Sequence, residues 1–231
     1  MERGSYRKEL KFICAERDLV LLENKLCHIC KPDTHAGPKG IYAVRSLYFD
    51  TFSDSCYLEN QAGVDDRKKY RVRIYDESTD VIKLECKYSK HGMKAKEACN
   101  ITRQQCESLM KGSTVTDVSD TQELLKRFLI ERKMNLLMPK VIVEYNRTPY
   151  VYPAGNVRIT FDRQIHSSPD ILRFLEKRIT CRTILPEDVH ILEIKYDDML
   201  PGAILELVVS GGKLSKTSFS KYALCREYNI G

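Results

Sequence analysis

The fold of this chain is predicted from one stretch, Arg67-Lys68-Lys69-Tyr70-Arg71-Val72-Arg73-Ile74-Tyr75. Alternate side chains of a β-strand point to opposite faces, so four cations and Tyr75 share one face, while Tyr70, Val72 and Ile74 share the other. The four cations are Arg67, Lys69, Arg71 and Arg73. Because they repel one another, a counter-charge must lie along their face. The alternative is a solvated outer face, or an edge strand that carries charge against aggregation.

The composition is typical of a soluble globular protein. A length of 231 residues predicts one domain, residues 1–231, and the chain is 42% hydrophobic and 30% charged. No apolar run approaches the roughly 20 residues that span a bilayer, and the basic N-terminus leads into no apolar signal core. Nine cysteines without a regular spacing suit reduced thiols. We therefore predict a cytoplasmic protein without a transmembrane segment.

The positive charge is concentrated in one part of the chain. The net charge is +6, and residues 67–96 hold ten Lys and Arg against four Asp and Glu, which equals the whole excess. Localised positive charge indicates a polyanionic partner, which could be nucleic acid, an anionic membrane or a phosphate-rich small molecule.

Hydrophobic periodicity predicts a chain in which strands dominate. The predicted strands are residues 9–13, 41–50, 57–59, 67–75, 82–88, 93–98, 140–147, 157–162 and 191–197. The predicted helices are residues 15–30, 103–111, 120–134, 169–178, 201–209 and 218–228. Thr102 is expected to cap the second helix, and Asp120 with Glu123 forms a capping-box pattern for the third. Hairpin-length connections between the central strands favour an antiparallel sheet.

At least six of these strands place ionisable side chains on one face and apolar side chains on the other. A one-sided sheet with its charges outside explains this pattern. A sheet that curls into a closed antiparallel barrel of about eight strands, with the helices packed outside, explains it equally well and gives an α+β fold. Such a bore is wide enough for side chains or one slim ligand. Buried Lys and Arg would need an anion between them, and phosphates suit them.

The order of several short motifs resembles the VTC domain, the polyphosphate polymerase domain of the vacuolar transporter chaperone type. The motifs, between about residues 6 and 223, are Glu9-Leu10-Lys11-Phe12, Arg45-Ser46-Leu47-Tyr48-Phe49-Asp50-Thr51, residues 63–75, Leu84-Glu85-Cys86-Lys87, Glu144-Tyr145-Asn146-Arg147, Val157-Arg158-Ile159-Thr160-Phe161-Asp162, Leu192-Glu193-Ile194-Lys195-Tyr196 and Ser220-Lys221-Tyr222. This family, which also occurs as stand-alone bacterial proteins, belongs to the triphosphate tunnel metalloenzymes. The resemblance therefore implies a barrel of about eight strands whose basic bore holds a triphosphate or polyphosphate chain.

The resemblance also implies roles for individual residues. Phosphates would be bound by Lys11, Arg45, Lys69, Arg71, Arg73, Lys87, Arg147, Arg158 and Lys221, by Lys94 or its rival Lys96, and by the hydroxyls of Tyr145 and Ser220. Glu193 would bind a divalent metal, Mn²⁺ or Mg²⁺, with Glu9 and Glu85 as further ligands. The implied catalytic set is Arg71, Arg73, Lys87 and Glu193.

The implied activity is transfer of the terminal phosphate of ATP to a growing inorganic polyphosphate chain. Triphosphate-hydrolysing relatives usually open with Glu-X-Glu-X-Lys, whereas positions 7, 9 and 11 here are Arg7, Glu9 and Lys11. A cation in place of the first carboxylate weakens a second metal site and favours polymerase over hydrolase. Known eukaryotic members sit in membrane-spanning assemblies, so membrane coupling of this chain would need a membrane-protein partner.

Two alternatives stay open beside the polymerase. One is hydrolysis of tripolyphosphate or nucleoside triphosphates in the same bore. The other is a non-catalytic module that binds polyphosphate or RNA, although nucleic acid is not the expected partner. RNA binding usually uses exposed aromatic platforms, and the 13 tyrosines are not interleaved with cations in that pattern.

Two further motifs are interpreted as structural. Cys27-His28-Ile29-Cys30 has the spacing of half a zinc site or a redox pair, but no second Cys or His pair at zinc spacing follows. Gly211-Gly212-Lys213-Leu214 is similar to a phosphate-binding loop, but Leu214 stands where such a loop needs Ser or Thr. We expect thiols without a metal at the first motif and a turn after a helix at the second.

Overall fold

The computed structural model describes residues 6–210 and 214–229, which contain one antiparallel sheet of eleven strands and six α-helices. The strands are β1 (Lys8–Ala15), β2 (Lys31–Pro32), β3 (Tyr42–Asp50), β4 (Arg67–Tyr75), β5 (Ser78–Lys90), β6 (Met93–Ile101), β7 (Met138–Tyr152), β8 (Val157–Ser168), β9 (Arg182–Thr183), β10 (Val189–Tyr196) and β11 (Ser215–Lys216). The helices are α1 (Glu16–Leu26), α2 (Ser55–Gln61), α3 (Arg103–Met110), α4 (Glu123–Asn135), α5 (Gly202–Ser210) and α6 (Lys221–Glu227). The α+β class is confirmed, and β4 has the predicted bounds.

The basic strand β4 lies inside the sheet and is not an edge strand. The strand order is β11-β1-β10-β8-β7-β3-β4-β5-β6, with β2 added to β7 and β9 added to β8. Arg71 of β4 is opposite Tyr48 of β3 and Glu85 of β5. The interpretation of β4 as a charged edge strand is therefore wrong.

The apolar face of β4 packs into a core under α3 and α4. Tyr70, Val72 and Ile74 are all buried there. Phe128 of α4 packs against Tyr70 and Phe49, with ring centroids 4.9 and 5.0 Å apart. Because full burial of such side chains contributes about 1.5–3 kcal/mol each, this face sets which side of β4 turns away from water.

Two other apolar clusters complete the core. Helices α1 and α5 cover the outer face of β1, β8 and β10, where Leu19, Leu22 and Phe161 are fully buried. Helix α6 packs on the opposite, concave face, where Tyr222 lies against Tyr48 with ring centroids 5.1 Å apart. The position of α6 brings the residues at its N-terminus to the charged side chains of the sheet.

The sheet is strongly curled. The Nζ of Lys87 on β5 lies 3.0 and 2.9 Å from the two carboxylate oxygens of Glu9 on β1. Five strands separate β1 from β5 in the sheet, so in a flat sheet the two strands would be about 29 Å apart at the usual strand spacing of ~4.8 Å. The cations of β4 therefore face a concave interior, and the one-sided sheet with outward charges is wrong.

Closure of the sheet into a barrel stays a prediction. The hydrogen-bonded ladder is an open path from β11 to β6. Its two sides meet at one isolated antiparallel bridge, in which the backbones of Arg7 and Lys94 exchange two hydrogen bonds of 2.8 Å.

Three local predictions change. Residues 57–59 belong to helix α2, not to a strand, because the Asp50 carboxylate accepts hydrogen bonds from the first-turn amides of Cys56 and Tyr57. Residues 169–178 contain only a short 3₁₀ turn, Ile171–Arg173. The Thr102 cap is confirmed, with Gln105 completing a capping box, whereas α4 begins at Glu123 and the capping box predicted from residue 120 is wrong.

The remaining sequence motifs have simple outcomes. Cys27 and Cys30 follow α1 in a turn, and all nine cysteines are free thiols. The stretch 211–213 lies outside the described residues. Within residues 6–210 and 214–229, none of the helices combines the length and the apolar character that crossing a membrane requires.

Candidate active site

The concave face of the sheet borders a cavity of about 650 Å³. Among the described residues, fourteen Lys and Arg side chains line it, against two carboxylates, Glu9 and Glu193. The other predicted site residues that line it are Lys11, Lys69, Arg71, Arg73, Lys87, Lys94, Lys96, Tyr145, Arg147, Arg158, Ser220 and Lys221. So many like charges need buried counter-charge, and three carboxylate centres supply it.

Glu85 forms the first centre, behind the cations of β4. Its Oε2 lies 2.7 Å from Nε and Nη2 of Arg71 and 3.5 Å from Nη1 of Arg73, and its Oε1 lies 2.7 Å from Nζ of Lys96. The side chain has no solvent exposure. Burial alone would raise the pKa of Glu85, but Arg71, Arg73 and Lys96 hold that pKa well below its usual range. Glu85 is therefore ionised at neutral pH.

Glu9 and Glu193 form the second centre, inside the cavity. Lys87 contacts both oxygens of Glu9, and Lys195 pairs with Glu193. Lys11 lies 3.2 Å from Glu9 and 3.9 Å from Glu193. Burial and the Glu193 charge act to raise the pKa of Glu9, but the lysines outweigh them and lower that pKa to about 2. Burial, opposed by Glu9, lowers the pKa of Lys87 to about 7.

Asp162 forms the third centre, which the sequence prediction missed. Its two oxygens accept hydrogen bonds of 2.6 and 2.7 Å from Nε and Nη2 of Arg147, and Lys221 of α6 pairs with it at 2.6 Å. The register explains this contact, because Arg147 and Asp162 are directly opposite on β7 and β8. Burial would raise the pKa of Asp162, but Arg147 and Lys221 lower it.

Hydroxyl groups interleave with these cations. Arg71 donates to Tyr48 at 2.9 Å, and Arg73 donates to Tyr145 at 3.3 Å. Lys69 donates to Ser220 at 3.2 Å, and the same Ser220 hydroxyl caps α6. Hydroxyl and guanidinium groups with this interleaving are suited to bind phosphate oxygens along a chain.

Comparison with known protein families shows to which family the chain belongs. The family model of the VTC domain matches residues 6–229, which is nearly the whole chain. The chain belongs to the VTC domain family. A search of curated proteins gave no match.

Solved structures share the fold of this VTC domain. A putative adenylate cyclase from Bacillus halodurans matches with a TM-score of 0.55 and 13% identity, covering 95% of this chain and 96% of that one. A putative adenylyl cyclase from Hippeastrum, described as having a dominant triphosphatase activity, matches with a TM-score of 0.53 and 14% identity, covering 96% of both chains. At such identities the likeness establishes the fold alone.

Two predicted site residues of the VTC domain do not line the cavity. Arg45 points to the other face of β3, because it alternates with Ser46, whose hydroxyl accepts a hydrogen bond from Arg73. The Arg45 guanidinium instead pairs with Glu144 and donates to backbone carbonyls of residues 174, 176 and 177. Glu85 lies beneath the cations, as described above.

Several lining residues lay outside the predicted set. They are Arg7, Lys8, Tyr48, Arg67, Tyr75, Lys195 and Tyr222. Arg67 and Tyr75 share the charged face of β4, and Lys195 alternates with Glu193 on β10, so strand alternation alone could have included these three. Arg7 precedes β1 but alternates with Glu9 and Lys11, which also line the cavity, and its backbone forms the bridge to Lys94.

The donor set of the VTC domain fits a divalent metal that is held jointly with substrate. Glu9 and Glu193 are hard oxygen donors, and Mg²⁺ usually takes one or two carboxylates together with substrate phosphates. Thr160, directly opposite Glu193 on β8, has a buried hydroxyl without a hydrogen-bond partner. Across residues 6–210 and 214–229, no group of three or more Asp, Glu, His or Cys could hold a metal by itself.

Proposed function

We propose that this VTC domain is an ATP-dependent inorganic polyphosphate polymerase. The observation that carries the proposal is the charge balance of the described cavity. Its fourteen cations face six carboxylates, namely Glu9 and Glu193 in the cavity, Glu85 and Asp162 behind it, and Asp197 and Asp33, which pair with Arg7 and Arg158; this leaves an excess of eight positive charges (14 − 6). A triphosphate carries only about four negative charges near neutral pH. A longer phosphate chain balances the excess better.

The proposed reaction forms one bond and breaks one. A terminal oxygen of the polyphosphate chain attacks the γ-phosphorus of ATP, and the bond from that phosphorus to the β–γ bridging oxygen breaks, leaving ADP and a chain one phosphate longer. This chemistry needs positioning and charge neutralisation and little covalent help from the protein. Arg71 and Arg73 would donate to the reacting phosphates, while Lys11, Lys87 and Lys221 would neutralise the neighbouring ones.

Glu193 and Glu9 are the residues that would hold Mn²⁺ or Mg²⁺. The metal would supply charge neutralisation at the phosphate oxygens. Both carboxylates are ionised at neutral pH, because the surrounding lysines hold the pKa of each below its usual range, although burial opposes this. Lys87, Lys11 and Lys195 would then exchange a carboxylate for a phosphate as their partner.

Arg7 supports the polymerase over the hydrolase. Arg7 lines the cavity, and its Nε lies 2.9 Å from Asp197. A cation at this position adds an anchor for an acceptor anion where hydrolytic relatives carry a carboxylate. Triphosphate hydrolysis remains the second candidate function, because the Hippeastrum neighbour with this fold is described as having a dominant triphosphatase activity.

The structure gives less support to RNA binding. The rings of Tyr48, Tyr145 and Tyr222 are buried, and cations lie over all three. They therefore offer no exposed stacking surface to a base.

The proposed location is the cytoplasm, which is consistent with nine free thiols and with ATP as the phosphate donor. A membrane-protein partner would be needed to carry the polymer across a bilayer.

The direct test is product analysis of the purified protein with ATP and Mn²⁺. We expect polymer and ADP, with little orthophosphate, and we expect Glu193→Gln to abolish both products while its thermal unfolding stays cooperative. Glu107→Gln, which changes an exposed helix pair with Arg103, is the matched control and should be as active as the wild type. Orthophosphate as the main product would favour the hydrolase.

A further inference from the structure

Glu85 differs from Glu9 and Glu193 in its position relative to the cavity. The sequence resemblance groups it with Glu9 and Glu193 as a metal ligand, but only those two line the cavity. Glu85 lies on β5 directly opposite Arg71, with no solvent exposure. The cavity-lining side chains of Arg71, Arg73 and Lys96 are its ion-pair partners.

The contacts of Glu85 leave little capacity for a metal ion. Arg71 contacts Oε2 twice at 2.7 Å, and Lys96 contacts Oε1 at 2.7 Å. A metal ion at Glu85 would have to displace at least one of these cations from a side chain that has no solvent exposure. Polyphosphate in the cavity would make displacement of a cation from Glu85 harder, because the cavity-facing donors of the same cations would bind the phosphates.

We propose that Glu85 is a positioning residue that binds neither metal nor substrate and holds Arg71, Arg73 and Lys96 with their free donors aimed into the cavity. This inference rests on the proposed function, in which those three cations bind phosphates. A fixed anion behind three cations lowers their mutual repulsion when the cavity is empty. It also fixes the guanidinium planes before the substrate arrives, so less ordering is required during binding.

The proposal makes binding and turnover respond differently to Glu85→Gln. The substitution removes this ordering but adds one net positive charge beneath the cavity. Because the added attraction for the polyanion offsets the lost ordering, affinity for tripolyphosphate without metal should be unchanged or higher. Turnover should fall between about 10- and 100-fold without a rise in KM for ATP, because the donors lose their orientation. Affinity for Mn²⁺ alone should stay within about twofold of wild type, whereas Glu193→Gln should lower it about tenfold or more.

The experiment compares Glu85→Gln, Glu193→Gln and the Glu107→Gln control in three measurements: calorimetric Mn²⁺ titration, tripolyphosphate titration without metal, and steady-state kinetics. If Glu85→Gln does not fold, Glu85→Asp keeps the charge but withdraws it by one methylene and should show the same fall in kcat. The proposal would be overturned if Glu85→Gln lost affinity for Mn²⁺, or if its kcat and KM equalled those of the wild type. Failure of the wild type to bind tripolyphosphate would instead contradict the proposed function.

Discussion

The carboxylate of Asp162 and the guanidinium of Arg147, which lines the cavity, form a bidentate ion pair with hydrogen bonds of 2.6 and 2.7 Å. Asp162 also binds Lys221 at the first position of α6, so one buried side chain connects β7, β8 and α6. The pair therefore fixes the positions of Arg147 and Lys221, which we propose bind phosphate, before any ligand is present.

Asp162→Asn should be strongly destabilising because it leaves two buried cations without their partner. The expected loss is about 3–5 kcal/mol in the free energy of unfolding, which urea denaturation measures. Saturating tripolyphosphate should recover more of this loss in the variant than it adds to the wild type, because the ligand supplies the missing anion. Equal ligand-induced shifts in the two proteins would contradict this role.

Arg71→Ala should lower the rate of polymer formation by about 100- to 1,000-fold, because it removes a donor aimed at the reacting phosphates. Arg71→Lys should not restore full activity, since one ammonium cannot reproduce the contacts to both Glu85 and Tyr48. Arg103→Ala, on the exposed face of α3, is the control and should leave the rate unchanged. Steady-state assays of polymer formation measure these rates, and thermal unfolding of each variant checks that it is folded.

Arg45→Ala tests whether Arg45 stabilises the fold and does not bind phosphate. The side chain is buried on the outer face and holds the chain at residues 174–177. The substitution should cost about 2–4 kcal/mol in the free energy of unfolding, because carbonyl groups and Glu144 lose their donor. Affinity for tripolyphosphate, measured by calorimetry below the melting temperature, should stay within about twofold of wild type. A larger loss of affinity would return Arg45 to the phosphate site.

Substrate binding should take up protons at alkaline pH. Burial lowers the pKa of Lys87 to about 7 and the pKa of Lys69 to about 8, so both are largely uncharged at pH 9. A bound polyanion raises both pKa values, and calorimetry in buffers of different ionisation enthalpy should detect uptake of about one to two protons at pH 8–9. At pH 6 both lysines are already charged, so the uptake should nearly vanish and affinity should be higher.

Lys87 and Lys69 also make the free energy of unfolding depend on pH. In the unfolded chain each stays protonated up to a pKa of about 10.4, so between about pH 7 and pH 10 the unfolded state binds more protons than the folded state. Their contribution to stability therefore rises with pH in this window. Lys87→Gln and Lys69→Gln should flatten that part of the pH profile of unfolding, which urea titrations at several pH values would detect.

Strand alternation predicted the charged and apolar faces of β4 correctly because its period is fixed by backbone geometry. The direction of curvature did not follow from alternation, since it depends on which face the helices cover. Helix α6 lies on the concave face, whereas α1, α3, α4 and α5 contribute to the outer clusters. That Arg45 points away from the cavity could not be predicted, because a motif match gives a residue's place in the chain and not the face of the strand on which it lies.

The counter-charges of the site were also hard to predict. Asp162 meets Arg147 through strand pairing across β7 and β8, which a single sequence does not reveal. Glu85 and Glu193 have the same local pattern, a carboxylate two residues from a lysine, yet one is sealed beneath the cations and the other lines the cavity. Only the position of each strand within the curled sheet separates these two environments.

The fate of the γ-phosphate of ATP tests the polymerase proposal most directly. Purified protein would be incubated with γ-labelled ATP, Mn²⁺ and an unlabelled polyphosphate primer, and the labelled products would be separated by size. We predict label in chains longer than the primer, with one ADP formed per phosphate added. Label recovered only as orthophosphate would contradict phosphate transfer to a chain and identify the cavity as a hydrolytic site.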